Sequence, residues 1–409
     1  MDLNDIRDAR LRIRDALQPT PSMRALRLEK ACGCELFLKL ENLQMTGSFK
    51  VRGALNRMLL LTDSESAAGV IAASAGNHAQ GVAYAALRLG IPACIVMPET
   101  APLAKVQGTR AFGAEIVLHG SGYDAAFGRA QELQQQRGAT FIHAFDDPGV
   151  MAGQGTIGLE LLEQIEGFDV VVVPIGGGGL IAGVAAAIKG ARPDVRVVGV
   201  QSARVPAMRV SWEAGEIRSL AASNTIADGI SVARVGAHTF PYCRKFVDDI
   251  VTVDDDEIAQ AIMTLLEQEK LLAEGAGAVG VAALMNGRID GISGKRVVVI
   301  VSGGNIDTND LTKFLERGLE QDGRLANLRV IAPDKPGSVA DVARIIAGNY
   351  ANILQISQNR HAAEVGLREA EVELTLETRG HSHVNEIIGA LSERGYAVRA
   401  PLRNVSDTP

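Results

Sequence analysis

Cysteine is scarce in this sequence, and there is no excess of basic charge. Four cysteines occur in 409 residues, at positions 32, 34, 94 and 243, without the paired spacing of a zinc site. We expect them to be reduced and buried, with no disulfide or metal role. A formal net charge of −7 offers no basic surface for nucleic acid or an anionic membrane.

Long apolar runs are also missing. No uninterrupted stretch approaches the roughly 18 residues that a membrane-spanning helix needs. Residues 1–5 are polar and acidic, unlike a secretory signal peptide. We therefore expect a cytoplasmic protein that does not contact a membrane.

Glycine, by contrast, is abundant, with 44 glycines in 409 residues, roughly half again the usual share of about 7%. Up to about residue 320, a short apolar strand, a Gly- or Ser-bearing turn and a helix alternate, as at 69–89 and 170–188. Strands that are apolar on both faces are typical of parallel sheets covered by helices. We expect an α/β fold, with ligands at the carboxyl ends of its strands.

The pattern changes after about residue 322. Strands, helices and turns then follow in the order β-α-β-β-α-β over roughly 75 residues, which predicts a ferredoxin-like domain. We place the domains at 1–320 and 321–409. The predicted elements are strand 328–331, helix 338–347, strands 353–357 and 371–376, helix 383–393 and strand 396–399.

Lys50 is a candidate nucleophile. It follows Ser48 and Phe49 in a lightly charged stretch. A desolvated lysine loses proton affinity and can attack an aldehyde. The alternative is a solvated surface lysine, which is the common role of this residue type.

Two strand-to-helix turns are candidate anion sites. The first, with a helix start as its plain alternative, consists of Ser74, Ala75, Gly76, Asn77 and His78. The second, Gly176, Gly177, Gly178, Gly179 and Leu180, offers the unobstructed N–H groups that a phosphate requires. A dinucleotide site competes for the second turn, but it needs an acidic residue at the end of the next strand. Gln201 stands there instead.

A further turn places Ser302 at a strand end, where its hydroxyl can bind an aromatic ring nitrogen without protonating it. Together and in this order, the four segments resemble the fold-type II family of pyridoxal phosphate (PLP) enzymes, and within it the threonine ammonia-lyases. The resemblance covers roughly residues 10–320 and implies two lobes, the smaller at about 43–145.

The resemblance also assigns roles. It implies that Lys50 binds the cofactor aldehyde, Asn77 the ring hydroxyl oxygen and Ser302 the ring nitrogen. Gly176 to Leu180 are expected to hold the phosphate, Phe49 and Glu274 to lie at the cofactor, and Ser74 to His78 to contact the substrate carboxylate. The implied reaction is elimination of water from L-threonine, and from L-serine, giving 2-oxobutanoate or pyruvate and ammonia.

Two departures separate the chain from the related serine racemases. Ala75 replaces their second serine, so efficient racemisation is not expected. At their metal site this chain has Gln201, Val205 and Ala207, none a carboxylate, so we predict no metal.

Alternative functions for this sequence are a dehydratase of phenylserine or hydroxyaspartate, a nucleotide-dependent oxidoreductase, and a non-catalytic amino-acid sensor. Substrate choice would depend on residues 74–78 and the loop 236–242.

The C-terminal segment resembles an ACT domain, a module that often binds amino acids. Its candidate effector residues are Asp334, Lys335, Pro336, Gly337 and Ser338. The alternative is a domain that only forms an oligomer interface. By analogy with the family we expect a homodimer or homotetramer. Biosynthetic (isoleucine-forming) and degradative roles both fit the sequence.

Overall fold

The computed structural model describes residues 1–362 and 365–399. It divides into two compact units, Met1–Leu311 and Thr312–Pro409. All four cysteines are buried, as predicted, and none forms a disulfide in the structure. Within the described residues, no helix is both long enough and apolar enough to cross a bilayer.

The first unit has short strands and mostly longer helices. Its strands are β1 (Ser22–Arg24), β2 (Glu35–Leu40), β3 (Val70–Ala73), β4 (Ala93–Met97), β5 (Glu115–Leu118), β6 (Thr140–Phe141), β7 (Val170–Pro174), β8 (Arg196–Ser202), β9 (Asp249–Val253) and β10 (Arg296–Val301). Its helices are α1 (Leu3–Ile13), α2 (Leu26–Cys32), α3 (Lys50–Met58), α4 (Asp63–Ala68), α5 (Asn77–Leu89), α6 (Leu103–Arg110), α7 (Tyr123–Arg137), α8 (Pro148–Gln164), α9 (Gly179–Ala191), α10 (Ala207–Ala214), α11 (Thr239–Phe246), α12 (Asp255–Thr264), α13 (Gly275–Met285) and α14 (Thr308–Gln321), which continues into the second unit.

These strands form two sheets. The larger has the order β1-β2-β10-β7-β8-β9 and the smaller the order β5-β4-β3-β6. The smaller sheet is wholly parallel, but the larger is mixed because β1 pairs antiparallel with β2. The expectation of parallel sheets was therefore wrong for β1. Residues 25–34, which join β1 to β2, are fewer than the dozen or more that a parallel crossover needs.

Helices on both faces explain the apolar strands of the larger sheet. In β7, Val171 and Val173 belong to the core that includes helix α9. Val172 points to the opposite face, where a Cβ on Gly280 of α13 would lie 3.4 Å from it. Because both faces are covered, the carboxyl ends of the strands and the turns that follow them are the places left for a ligand.

The second unit contains β11 (Leu325–Pro333), α15 (Ser338–Gly348), β12 (Asn352–Asn359), β13 (Glu369–Glu377), α16 (His381–Glu393) and β14 (Ala397–Arg399). The elements appear in the predicted order, and β11 is longer than expected. The strands form an antiparallel sheet of order β12-β13-β11-β14. Val330 and Leu374 of the sheet pack with Val342 and Ile387 of the helices. The last ten residues assigned to this domain, 400–409, lie outside the described residues.

Candidate active site

Lys50 is the first residue of α3 and is partly buried. Its Nζ donates to the backbone oxygen of Ala144 at 2.9 Å and lies 5.2 Å from the ring centroid of Phe49. Burial lowers the pKa of Lys50 to about 8, although the Glu274 carboxylate acts in the opposite direction. About a tenth of this amine is therefore unprotonated at pH 7, far more than for an ordinary lysine, and attack on an aldehyde requires the unprotonated form.

The glycine-rich turn after β7 presents a set of unused donors. Gly177 to Leu180 are buried, and α9 begins at Gly179. Among the hydrogen bonds of the described residues, none is donated by the backbone N–H groups of 176–180. Buried N–H groups at a helix N-terminus favour an anion, since the helix dipole adds to their hydrogen bonds.

Packing explains why this turn needs several glycines. A Cβ on Gly177 would overlap the ring of Phe145, and one on Gly179 would lie 2.9 Å from the Phe145 backbone. Gly178 has φ +101°, and a Cβ there would lie 2.7 Å from Oγ1 of Thr239. Close packing against Phe145 and Thr239 is therefore one reason for the glycines of this turn.

Asp146, which the sequence reading did not single out, supports the same turn. Its carboxylate accepts from the N–H groups of Ala237, His238 and Thr239 at 3.0, 2.7 and 3.2 Å, at the start of α11. Thr239 Oγ1 in turn donates to the oxygen of Gly177 at 2.6 Å. The start of the loop 236–242, expected to influence substrate choice, thus contacts the glycine-rich turn.

The turn between β3 and α5 is a second helix N-terminus with unused donors. Gly76 N–H donates to Ser74 Oγ at 3.2 Å, whereas those of Asn77 and His78 donate to nothing within 1–362 and 365–399. The His78 ring is buried and bonds the backbone oxygen of Ile142 through Nε2 at 2.8 Å. Burial, followed by the charge of Lys50, lowers the pKa of His78 to about 3, so the ring is neutral. Of the groups of His78, only the backbone N–H can therefore contribute to anion binding.

Asn77 and Glu274 are in contact, and both lie against Gly303, the residue after Ser302. Asn77 Nδ2 donates to Glu274 Oε1 at 2.7 Å. Burial, with the Asp228 charge adding to it, raises the pKa of Glu274 to about 7. Ser302 is buried, and its backbone oxygen accepts from the Phe49 N–H at 3.1 Å. Among the described residues, its Oγ makes a single long hydrogen bond, of 3.4 Å, to the backbone oxygen of Ala276. That hydroxyl can turn to a better acceptor.

The position where racemases have a metal ligand is used differently. Gln201 is fully buried, with Nε2 donating to the oxygen of Ile175 at 3.3 Å and Oε1 accepting from Arg209 N–H at 2.9 Å. Within the described part of the chain, no group of three or more His, Cys, Asp and Glu could hold a metal ion. Gln201 is thus a structural residue that links the ends of β7 and β8 to α10.

A family profile described as "Pyridoxal-phosphate dependent enzyme" matches residues 13–303, which include every element of this site. The chain belongs to the pyridoxal-phosphate-dependent enzymes. It is 47% identical over 397 residues to an L-threonine ammonia-lyase of Thermotoga maritima, covering 97% of this chain and 98% of that protein. It is 46% identical over 313 residues to the catabolic L-threonine dehydratase of Escherichia coli, covering 76% of this chain and 95% of that protein.

Among solved structures, maize serine racemase superposes with a TM-score of 0.74 at 37% identity. The alignment covers 78% of this chain and 98% of the racemase. The fold of the first unit is therefore the fold-type II architecture of this family.

The polar groups of the site fit the cofactor that defines the family. The turn 176–180 offers unused N–H groups to a phosphate, and Lys50 offers an amine of lowered pKa to an aldehyde. Asn77 has an amide and Ser302 a hydroxyl, the kinds of group that can hydrogen-bond a ring hydroxyl oxygen and a ring nitrogen. The chemistry of these residues therefore fits PLP, on which the enzymes of this family depend.

The lowered pKa of Lys50 predicts how cofactor uptake depends on pH. Only the unprotonated amine reacts, so the rate at which the apoenzyme gains its visible absorbance band should rise about tenfold per pH unit and level off above about pH 8. Stopped-flow absorbance with PLP measures this rate. Pyridoxine phosphate, which lacks the aldehyde, is the control, and its binding should not follow this profile. A PLP profile that levels off only near the ordinary lysine value of 10.5 would contradict the prediction.

Proposed function

We propose that this protein is an L-threonine ammonia-lyase, which removes water from L-threonine and releases 2-oxobutanoate and ammonia. The observation that carries the proposal is the partly buried Lys50 amine, whose pKa is lowered to about 8 within the electrostatic reach of Glu274. The similarity of almost the whole chain to an L-threonine ammonia-lyase supports it. L-Serine, which lacks one methyl group, is the expected second substrate.

Substrate binding begins at the start of α5. The free N–H groups of Asn77 and His78 bind the substrate carboxylate, because the helix N-terminus favours an anion. The neutral His78 ring, bonded to Ile142, holds this turn against the end of β6. The amino acid is thus oriented by its carboxylate, which all candidate substrates share.

Lys50 then moves the proton that starts the reaction. When bound, PLP supplies an electron sink at the substrate Cα. The unprotonated Nζ of Lys50 takes the proton from Cα, and its lowered pKa suits a base that works near neutral pH. Loss of the β-hydroxyl needs a proton donor, and protonated Lys50 is available for it. Water hydrolyses the released product to the 2-oxo acid and ammonia.

A substrate panel tests the proposal. We expect 2-oxo acid formation with L-threonine and, more slowly, L-serine, and little with phenylserine or hydroxyaspartate. Formation of D-serine from L-serine should be negligible, because the side chain at position 75 is a methyl group with no proton to exchange. A protein that binds PLP and acts only on phenylserine or hydroxyaspartate would contradict the threonine assignment.

We propose that residues 1–320 form the catalytic domain, with a smaller lobe at about 43–145, and that 321–409 form an ACT-like domain. The family profile ends at residue 303, and the Escherichia coli relative leaves about a quarter of this chain unmatched although nearly all of that relative is covered. Both facts support an added C-terminal module. A homodimer or homotetramer is the expected assembly, which light scattering can measure.

The effector site proposed for this domain is the turn between β11 and α15. Gly337 has φ +94° at the start of α15, and Ser338 is buried with an Oγ that has no partner among the described residues. Asp334, on the same turn as Lys335 and Pro336, accepts a hydrogen bond from Arg360 Nε at 3.0 Å. We expect isoleucine or valine to bind the full-length protein in calorimetry and Ser338→Ala to weaken that binding. Binding unchanged by Ser338→Ala would contradict this location.

A further inference from the structure

Asn305 links parts of the site that are far apart in sequence. It lies just beyond the end of β10, two residues after Gly303. Its Nδ2 donates to the backbone oxygen of Thr46 at 2.7 Å and to Oδ1 of Asn77 at 2.8 Å. One amide nitrogen therefore joins the segment before Lys50 to the first residue of α5.

The Thr46 carbonyl fixes which way each amide faces. A backbone oxygen only accepts hydrogen bonds, so Asn305 must turn Nδ2 toward it. The second hydrogen on that nitrogen reaches Asn77, which must then offer Oδ1. The Nδ2 of Asn77 is thereby directed to Oε1 of Glu274, 2.7 Å away. The orientation follows along this chain from a group that cannot reverse its role.

Gly47 holds Asn305 in place. Its φ of +69° is in the left-handed region, and a Cβ at this position would overlap the Asn305 amide. The Gly47 oxygen also accepts from the N–H of Gly304 at 2.9 Å. The Asn305 amide thus packs against Gly47, and Gly47 is hydrogen-bonded to Gly304, the residue before Asn305. These two contacts restrict the movement of the Asn305 side chain.

The consequence concerns the free hydrogen on Asn77. Its Nδ2 carries two hydrogens, and Glu274 accepts one of them. The hydrogen bonds of the described residues leave the other available, while Oδ1 is occupied by Asn305. We propose that Asn305 is a positioning residue, which fixes the Asn77 amide so that a donor faces the hydroxyl oxygen of the cofactor ring. This role rests on the proposed function.

Loss of Asn305 should release the Asn77 amide. Asn77 could then turn its Oδ1 toward the ring oxygen, so that two acceptors would face each other. We expect Asn305→Ala to weaken PLP binding by about tenfold, as for loss of one hydrogen bond to a charged group. The pH midpoint of the visible band should rise, because the anionic ring oxygen loses a donor. The kcat should fall while KM changes little, since the carboxylate-binding turn is intact.

A matched pair of variants tests the role. Asn305→Asp keeps the shape but replaces the donor by an oxygen, and should weaken PLP binding at least as much as Asn305→Ala. Asn42→Ala is the control, because Asn42 Nδ2 also donates to a nearby backbone oxygen, that of Leu272 at 3.0 Å, without contacting Asn77. For each protein we would measure the melting temperature of the apoenzyme, the PLP dissociation constant, the band titration, kcat and KM.

The expected result is that both Asn305 variants show weaker PLP binding and a shifted band midpoint, while Asn42→Ala behaves as wild type. Wild-type values in both Asn305 variants, or equal losses in Asn42→Ala, would overturn the positioning role. If Asn305→Ala does not fold, the same criteria apply to Asn305→Asp alone. Wild-type protein that neither binds PLP nor turns over threonine would instead contradict the proposed function itself.

Discussion

Replacing Lys50 by alanine should lower kcat for L-threonine by roughly 10³-fold or more, because the proposed function gives this one residue both the covalent anchor of the cofactor and the base at Cα. The visible band of the PLP-loaded protein should be lost as well. PLP itself should still bind, although more weakly, because the N–H donors of the turn 176–180 remain. A coupled assay of 2-oxobutanoate and an absorbance spectrum, both at saturating PLP, measure these effects.

Lys295→Ala is the control for the Lys50 variant. The Lys295 side chain is 51% exposed, and its Nζ lies 3.7 Å from a carboxylate oxygen of Asp169. Its loss should leave activity and spectrum unchanged, as for other exposed ion pairs. A small primary amine added to Lys50→Ala should restore part of the activity, because it can replace the missing base. If Lys50→Ala kept more than about a tenth of wild-type kcat, Lys50 would not be the base.

Candidate site residues in local motifs could be proposed from the sequence. Lys50 and the glycine-rich turn each stand in a short segment whose composition indicates a nucleophile or an anion site. The pattern of continuous apolar strands likewise predicted the α/β fold, because it reflects burial on both faces. It did not predict β1, whose direction depends on the length of its connection to β2.

Contacts between residues that are distant in the sequence could not be predicted from it. Asn305 contacts Thr46 and Asn77, which are 259 and 228 positions away in the sequence. Asp146 contacts Thr239 across 93 positions. No periodicity or local composition encodes such contacts, since they depend on how the turns are arranged in space. From the sequence alone, the four consecutive glycines were explained by a bound ligand. The structure adds a second reason, because a side chain at Gly177 would overlap the ring of Phe145.

A buried ion cluster beside α3 illustrates the same limit. Arg52, two residues after Lys50, donates through Nη1 to Glu160 at 2.6 Å and through Nε to Glu41 at 2.8 Å. Lys39 Nζ donates to Glu160 at 2.6 Å. All four charged side chains are nearly inaccessible, with exposures of 0 to 6%. The cluster contains two cations and two anions, so its charges balance within the fold.

Glu160→Gln should therefore destabilise the protein by about 3–5 kcal/mol, because it leaves two buried cations with a single carboxylate. Burial by itself would raise the pKa of Glu160, but Arg52 and Lys39 hold that pKa below its ordinary value. A depressed carboxylate pKa contributes stability above its unfolded value, about 4.5, and that contribution is lost as the pH falls through the folded value. Urea denaturation at pH 7 and near pH 4 measures both effects, and the variant should differ less from wild type at the lower pH.

Glu163→Gln is the matched control, since Glu163 lies on the same helix three residues later and pairs with Arg10 at the surface, where its side chain is 60% exposed. Its loss should cost no more than about 1 kcal/mol, because water screens an exposed pair. In the double variant Lys39→Met/Glu160→Gln the charges balance again, so its destabilisation should be smaller than the sum of the two single effects. Equal losses in Glu160→Gln and Glu163→Gln, or strict additivity in the double variant, would mean that charge balance does not stabilise the segment from which Lys50 projects.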